Sequence, residues 1–140
     1  MATLTVSATT DFSGDVLSNI TLLDFTNPPF TFATATFAAS QFGGGQIAAN
    51  VAISGSVGGN RIQVVGGSLD ASAWTFTDWN IFSSSLVAEG SSGGDTIAGS
   101  SHNDVLRGLG GNDTLTGNGG KDRIQAGGGD DTVVINGPGS

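Results

Sequence analysis

The chain of 140 residues has no cysteine, which excludes disulfides and thiolate metal sites. Its single histidine, His102, excludes multi-histidine centres and the paired histidines of a helical zinc motif. Lysine and arginine number 4 against 12 acidic residues, for a formal net charge of -8. Four cations cannot build a stripe that tracks phosphates, so nucleic acid is not expected as a partner. No apolar run approaches the roughly 20 residues of a membrane helix, so no membrane span is expected. The opening MATLTVSATTDFSGD lacks a basic start and a hydrophobic core, and does not read as a signal peptide. Helix formers are scarce as well: Glu89 is the only glutamate and Lys121 the only lysine.

What is present is apolar and strand-forming. Hydrophobic residues make up 37% of the chain and charged ones only 11%, the reverse of a disordered composition. The apolar residues are largely β-branched or aromatic, and threonine is abundant, which favours strands. The 24 glycines recur at short intervals. An all-β protein is expected, as one domain or one continuous solenoid.

From Gly90 onward the chain reads GSSGGDTIA, GSSHNDVLR, GLGGNDTLT, GNGGKDRIQ, AGGGDDTVV, five nine-residue units without a gap. The sixth position is always aspartate: Asp95, Asp104, Asp113, Asp122 and Asp131. The eighth is always aliphatic: Ile97, Leu106, Leu115, Ile124 and Val133. Positions seven to nine read as a short strand with one residue facing inward. Positions one to six read as a turn whose glycines reach positive φ easily. Two units then close a coil of 18 residues, and alternate units stack one strand spacing apart, about 4.8 Å. Asp95, Asp113 and Asp131 fall in one column, and Asp104 and Asp122 in the other.

Such columns repel. Two unit charges about 5 Å apart at an effective dielectric near 20 cost roughly 3 kcal/mol. A hard dication between two carboxylates, with turn carbonyls completing an oxygen shell, reverses that sign. Flexible coordination by six or more oxygens favours Ca²⁺ over Mg²⁺, and softer metals would want ligands this chain lacks.

These units resemble the RTX, or hemolysin-type, calcium-binding nonapeptide G-G-x-G-x-D-x-U-x; the best match runs from Gly108 to Thr116. The resemblance implies a parallel β-roll over residues 90–140 with Ca²⁺ held between turns n and n+2. It pairs Asp95 with Asp113, Asp113 with Asp131, and Asp104 with Asp122, about three sites within the chain and possible further ones at subunit contacts. It assigns the remaining ligands to turn carbonyls such as those of Gly93, Gly111, Gly120 and Gly129. It also implies an extracellular or cell-surface location reached by type I secretion, and calcium as a folding switch rather than a catalytic cofactor. The chain departs from the pattern at Ser100-Ser101-His102, where strain in the turn is expected, and at Ala126. Ser140 would take a sixth position, so ligation is expected to stop before it. The residues after Ile135 are too few to identify an export signal.

Residues 1–89 are expected to be an N-terminal β-rich region, a cap or coils of a β-helix. Apolar stretches at Leu4-Thr5-Val6, Ile20-Thr21-Leu22, Phe30 to Phe37, Val51-Ala52-Ile53, Ile62-Gln63-Val64, Trp74-Thr75-Phe76 and Leu86-Val87-Ala88 alternate with turns. Those turns are Asn27-Pro28-Pro29, Gly43-Gly44-Gly45, Gly58-Gly59-Asn60 and Gly66-Gly67. A β-sandwich fits, and a parallel β-helix running into the roll fits better, because the roll needs its N-terminal end covered. The segment from Phe37 to Trp79 is similar to stretches that precede the repeats in some bacterial RTX proteins.

Other motifs read as ordinary structure. Gly90-Ser91-Ser92-Gly93-Gly94 matches G-x-S-x-G formally, but a nucleophile elbow needs a strand-to-helix turn in a larger α/β sheet. Trp74 and Trp79 could stack on a glycan, though core packing is the simpler reading. His102 fills a turn position rather than serving as a pH switch. Asp11 and Asp15 read as loop residues, and Asn19-Ile20-Thr21 as a sequon of no consequence in a bacterial chain. No acid, base and nucleophile converge, so no enzyme is expected. The expected function is a secreted, calcium-folded structural protein that self-assembles head to tail into a surface, matrix or fibre structure. The alternatives are a calcium-dependent adhesin or carbohydrate-binding module, or a fragment of an RTX enzyme.

Overall fold

The computed structural model describes residues 2–28, 31–80 and 84–136. Pro29, Phe30 and Ser140, which figure in the sequence reading, lie outside the described residues. Fourteen strands follow one another among those described: β1 (Ala2–Val6), β2 (Thr10–Asp11), β3 (Ile20–Phe25), β4 (Phe32–Ala38), β5 (Ile47–Ser54), β6 (Gly59–Val65), β7 (Leu69–Asp70), β8 (Thr75–Thr77), β9 (Ser85–Glu89), β10 (Thr96–Ala98), β11 (Asp104–Gly110), β12 (Thr114–Thr116), β13 (Arg123–Gly128) and β14 (Thr132–Val134). A single 3-10 turn, Ala39–Gln41, interrupts them. No helix among the described residues is long and apolar enough to cross a membrane.

Every pair of strands is parallel. The strands form three sheets, ordered β1-β3-β5-β8, β14-β12-β10-β7 and β13-β11-β9-β6-β4-β2. Parallel neighbours require the chain to travel round a coil before it can pair with itself, so this is a parallel β-helix passing into a β-roll. The six-stranded sheet runs along both parts, and β11 pairs with β9 as regularly as it pairs with β13. Along the six-stranded sheet the coil tightens from β4 onward. Thr34 pairs with Arg61, Ile62 with Leu86, and Val87 with Val105, so the step falls from 27 to 24 to 18 residues. From there Val105↔Arg123, Thr96↔Thr114 and Thr114↔Thr132 hold the step at 18.

Alternation along each strand sends one set of side chains inside. Leu23, Phe25, Phe37, Ile47, Ile53 and Ile62 fill the wide coils, and Ile97, Leu106 and Leu115 fill the narrow ones, all fully buried. In the narrow coils one aliphatic residue per nine is enough, because only one inward position is left on each wall. Trp74 and Trp79 belong to this core. Trp74 stacks on Phe42 with ring centroids 5.1 Å apart, and Trp79 meets Phe25 edge-on at 6.0 Å.

One expected turn is corrected. Gly59 and Asn60 are strand, not turn: they open β6. Asn60 is buried there, where its backbone N–H and its side-chain amide both donate to the Ser84 hydroxyl. Only Gly58 remains in the turn, where a Cβ would collide with the Thr31 carbonyl and the Asn27 amide.

Candidate metal centre

The nine-residue units take the places their spacing predicts. Ile97, Leu115 and Val133 pair in register on one wall, and Leu106 and Ile124 on the other. The turns between them carry the aspartates, except Asp104, which opens β11. Asp95, Asp104 and Asp113 are buried, although each is a carboxylate, while Asp122 and Asp131 are half-exposed.

Each column is tied together along its length. The backbone N–H of Asp95 donates to Asp113 Oδ1 at 2.8 Å, that of Asp113 to Asp131 Oδ1 at 2.9 Å, and that of Asp104 to Asp122 Oδ1 at 3.0 Å. All three bonds span 18 residues. One carboxylate oxygen per rung therefore holds adjacent coils in register, and the other faces the first-position glycine of its own unit. A Cβ on Gly90 would sit 2.7 Å from Asp95 Oδ2, and one on Gly99 would sit 2.6 Å from Asp104 Oδ2. This is why the first position is glycine. Ala126 carries that Cβ, and the Asp131 carboxylate of its unit is half-exposed.

The fourth-position residues named with the aspartates also lie where coils stack. Gly111, Gly120 and Gly129 have φ of 101°, 94° and 129°. The Gly93 carbonyl oxygen faces Gly111, 2.7 Å from where its Cβ would be. Gly111 presents its own carbonyl to Gly129, and His102 presents one to Gly120 at 2.7 Å. Side chains at these positions would strike backbone, so glycine lets the backbones of successive turns stack closely.

A second ladder was not singled out in the sequence. Asn103 Oδ1 accepts the N–H of Lys121 at 2.7 Å, Asn112 Oδ1 that of Asp130 at 3.0 Å, and Asn136 Oδ1 that of Asn118 at 3.2 Å. Asparagine at the fifth position of the second and third units was the visible signal. The expected strain at Ser100-Ser101-His102 is also corrected. None of these residues has positive φ; within the repeats the non-glycine residues that do are Leu109 and Asn118, at 78° and 69°. The Ser100 turn is relaxed because its hydroxyl and N–H both bond the Asp104 carboxylate.

Electrostatics set what the columns can hold. Burial pushes the Asp104 carboxyl up to about 7, against the bonds from Ser100 and with added repulsion from Asp122. Burial also raises Asp122, against the bond from the Asp104 N–H. Asp113, only 2% exposed, has an Oδ2 with no hydrogen-bond partner. A buried carboxylate oxygen without a donor is costly, and a cation is what its charge calls for. Among the described residues no three of His, Cys, Asp or Glu gather in one place. A centre here would draw on paired aspartates and backbone carbonyls, an all-oxygen set that suits a hard, flexibly coordinated ion. The residues fit Ca²⁺: Asp113 with Asp95 or Asp131, Asp104 with Asp122, and fourth-position carbonyls such as those of Gly93 and Gly111.

The other candidates resolve into structure. Trp74 and Trp79 are buried, so neither offers a ring face to a glycan. The His102 ring packs on Phe76, centroids 4.5 Å apart, and its desolvation lowers its pKa. The Ser13 hydroxyl and then its N–H hold the Asp11 carboxyl below its ordinary value. Gln41, overlooked in the sequence, donates to the carbonyls of Phe12 and Asp15 and ties the first loop down.

Compared with known families, residues 89–120 and 98–133 match the model of the RTX calcium-binding nonapeptide repeat (4 copies). That stretch covers about a third of the chain, and RTX nonapeptide repeats bind Ca²⁺. No curated protein and no solved structure matches the chain.

Proposed function

We propose that this chain, which carries RTX calcium-binding nonapeptide repeats over residues 89–133, is a secreted structural protein whose roll closes on extracellular Ca²⁺ and then joins other copies. The observation that carries the calcium switch is the buried, unpartnered Asp113 Oδ2. Without a cation it is a cost of closing the roll, and with one it becomes a ligand. Binding that occurs only in the folded state is folding energy. Extracellular calcium modules bind at roughly 10⁻⁴–10⁻³ M. On this reading the roll stays open where calcium is scarce and closes outside, as export through a type I apparatus requires.

Assembly finds support at β13 and β14. The inward column is sealed at Ile97, Leu106 and Leu115, but Val133 is 42% exposed and Ile135 67%. Ile124, Ala126, Val133 and Ile135 line a groove of about 600 Å³ beside Asp122. Covering the area these side chains still expose contributes a part of the roughly 1.5–3 kcal/mol that full burial of a valine or isoleucine gives. A second copy stacked on this face would also add oxygens to the Asp122 and Asp131 turns. Head-to-tail contacts of this kind build open filaments. Light scattering during a Ca²⁺ titration tests it: particle size grows with calcium if the proposal holds, and a monomer at millimolar Ca²⁺ removes the assembly step.

A further inference from the structure

The five turns are not one structure repeated. In the third, fourth and fifth units the second position is left-handed: Leu109, Asn118 and Gly127 have φ of 78°, 69° and 107°. The fourth position is left-handed too, at Gly111, Gly120 and Gly129. In the first two units neither position is left-handed, and the second position is serine, Ser91 and Ser100.

The consequence falls on the carboxylates. Asp95 Oδ2 accepts the Ser91 N–H at 2.6 Å and the Ser91 hydroxyl at 2.8 Å. Asp104 Oδ2 accepts the Ser100 N–H at 2.6 Å, and the Ser100 hydroxyl lies 3.0 Å from Oδ1. Ser68 adds a longer contact to Asp95 Oδ1 at 3.4 Å, and its hydroxyl accepts the N–H of Thr96 at 2.9 Å. At the third unit the left-handed Leu109 offers no hydroxyl, and Asp113 Oδ2 is buried with no partner. The change of turn type coincides with the appearance of the orphaned oxygen.

We propose that Ser91 and Ser100 are latches that close the first two turns without a cation, so that the calcium demand of the roll begins at Asp113. The serine hydroxyl and N–H offset part of the cost of burying the Asp95 and Asp104 carboxylates, where Asp113 Oδ2 has no donor at all. The latched turns also lie beside the metal-free coils, since β10 pairs with β7 and β11 with β9. The inference rests on the calcium reading above.

Hydrogen exchange of the full-length protein, resolved by peptide, separates the two ideas. In EDTA, amides of residues 90–107 should exchange at least about tenfold more slowly than those of 108–134, and millimolar Ca²⁺ should slow the second group selectively. The S91A/S100A double variant should lose the EDTA protection of 90–107 and regain it with Ca²⁺. The L109S variant, which grafts a latch onto the third turn, should slow exchange around Asp113 in EDTA. Calcium-dependent protection spread evenly over 90–134, unchanged by S91A/S100A, overturns the latches and leaves the calcium reading standing. No response to Ca²⁺ anywhere overturns both.

Discussion

The buried carboxyl of Asp104 makes a quantitative claim about pH. In the unfolded chain it ionises near 3.8, and in the fold burial raises it to about 7. The folded state therefore prefers the protonated form. The stabilisation from holding that proton is full below the unfolded value and is lost as pH rises through the folded one. A displacement of about three units corresponds to roughly 4 kcal/mol, an upper bound for a metal-free protein whose structure can relax. Asp122, raised by burial as well, pushes the same way. His102, lowered by desolvation, opposes it once pH falls toward its ordinary value near 6.5, so the clean window lies between about pH 8 and 6.5. Only about 0.8 kcal/mol of that span falls inside the window, so in EDTA thermal melts should rise across it by roughly 3 °C. Asp104→Asn, which keeps the shape and removes the charge, should raise the melting temperature at pH 8 and flatten the slope. Saturating Ca²⁺ should flatten it too, because the ion favours the ionised carboxylate. A wild-type slope that survives unchanged in Asp104→Asn would refute the reasoning, since the proton would then belong elsewhere.

Three further outcomes follow from packing. Leu109→Gly relieves a left-handed φ of 78° on a half-exposed side chain and should stabilise the calcium-loaded roll by about 1 kcal/mol in a denaturant titration. Gly111→Ala places a Cβ against the backbone of Gly93 at a φ of 101°. It should cost more than about 2 kcal/mol and weaken the Ca²⁺-induced change in circular dichroism. Leu115→Ala opens a cavity in the narrow core and should cost about 2–5 kcal/mol with the Ca²⁺ stoichiometry unchanged, which isothermal titration would show.

The roll was legible because its constraints are periodic. Asp113 and Leu115 each recur every nine residues, and that period alone yields an 18-residue coil, two walls and two carboxylate columns. The wide coils were legible as strands and, from the roll's need for a covered end, as a parallel β-helix, but their register was not, because their steps of 27 and 24 residues carry no repeated residue type. Parallel pairing there is decided by which faces bury Phe25, Phe37 and Ile53, a property of the closed coil and not of any window of sequence. Asn60 shows the limit well. Beside two glycines it reads as a turn, yet the Ser84 hydroxyl satisfies it inside a strand. Within the site, the aspartates announced themselves by register. The serine latches did not, because a serine among glycines looks like any turn residue until the carboxylate four positions on is seen to accept from it.

The continuity of the six-stranded sheet bears on how calcium can act. An isolated roll would have to close its first 18-residue loop with no strand to pair against, at a loop-closure cost that no single ion site repays at once. Here the first narrow coil has partners already in place. Leu69 pairs with Ile97, and Leu86 with Asp104. The wide coils behind them hold most of the buried aromatic and aliphatic side chains. Closure can then proceed by adding coils to an existing edge, each new turn gaining strand bonds on one side as it gains its rung from an aspartate. On this scheme the ion only has to offset the charge of the next carboxylate. On the proposed reading, weak sites at millimolar calcium would be sufficient for that, and closure would run from Asp95 toward Asp131.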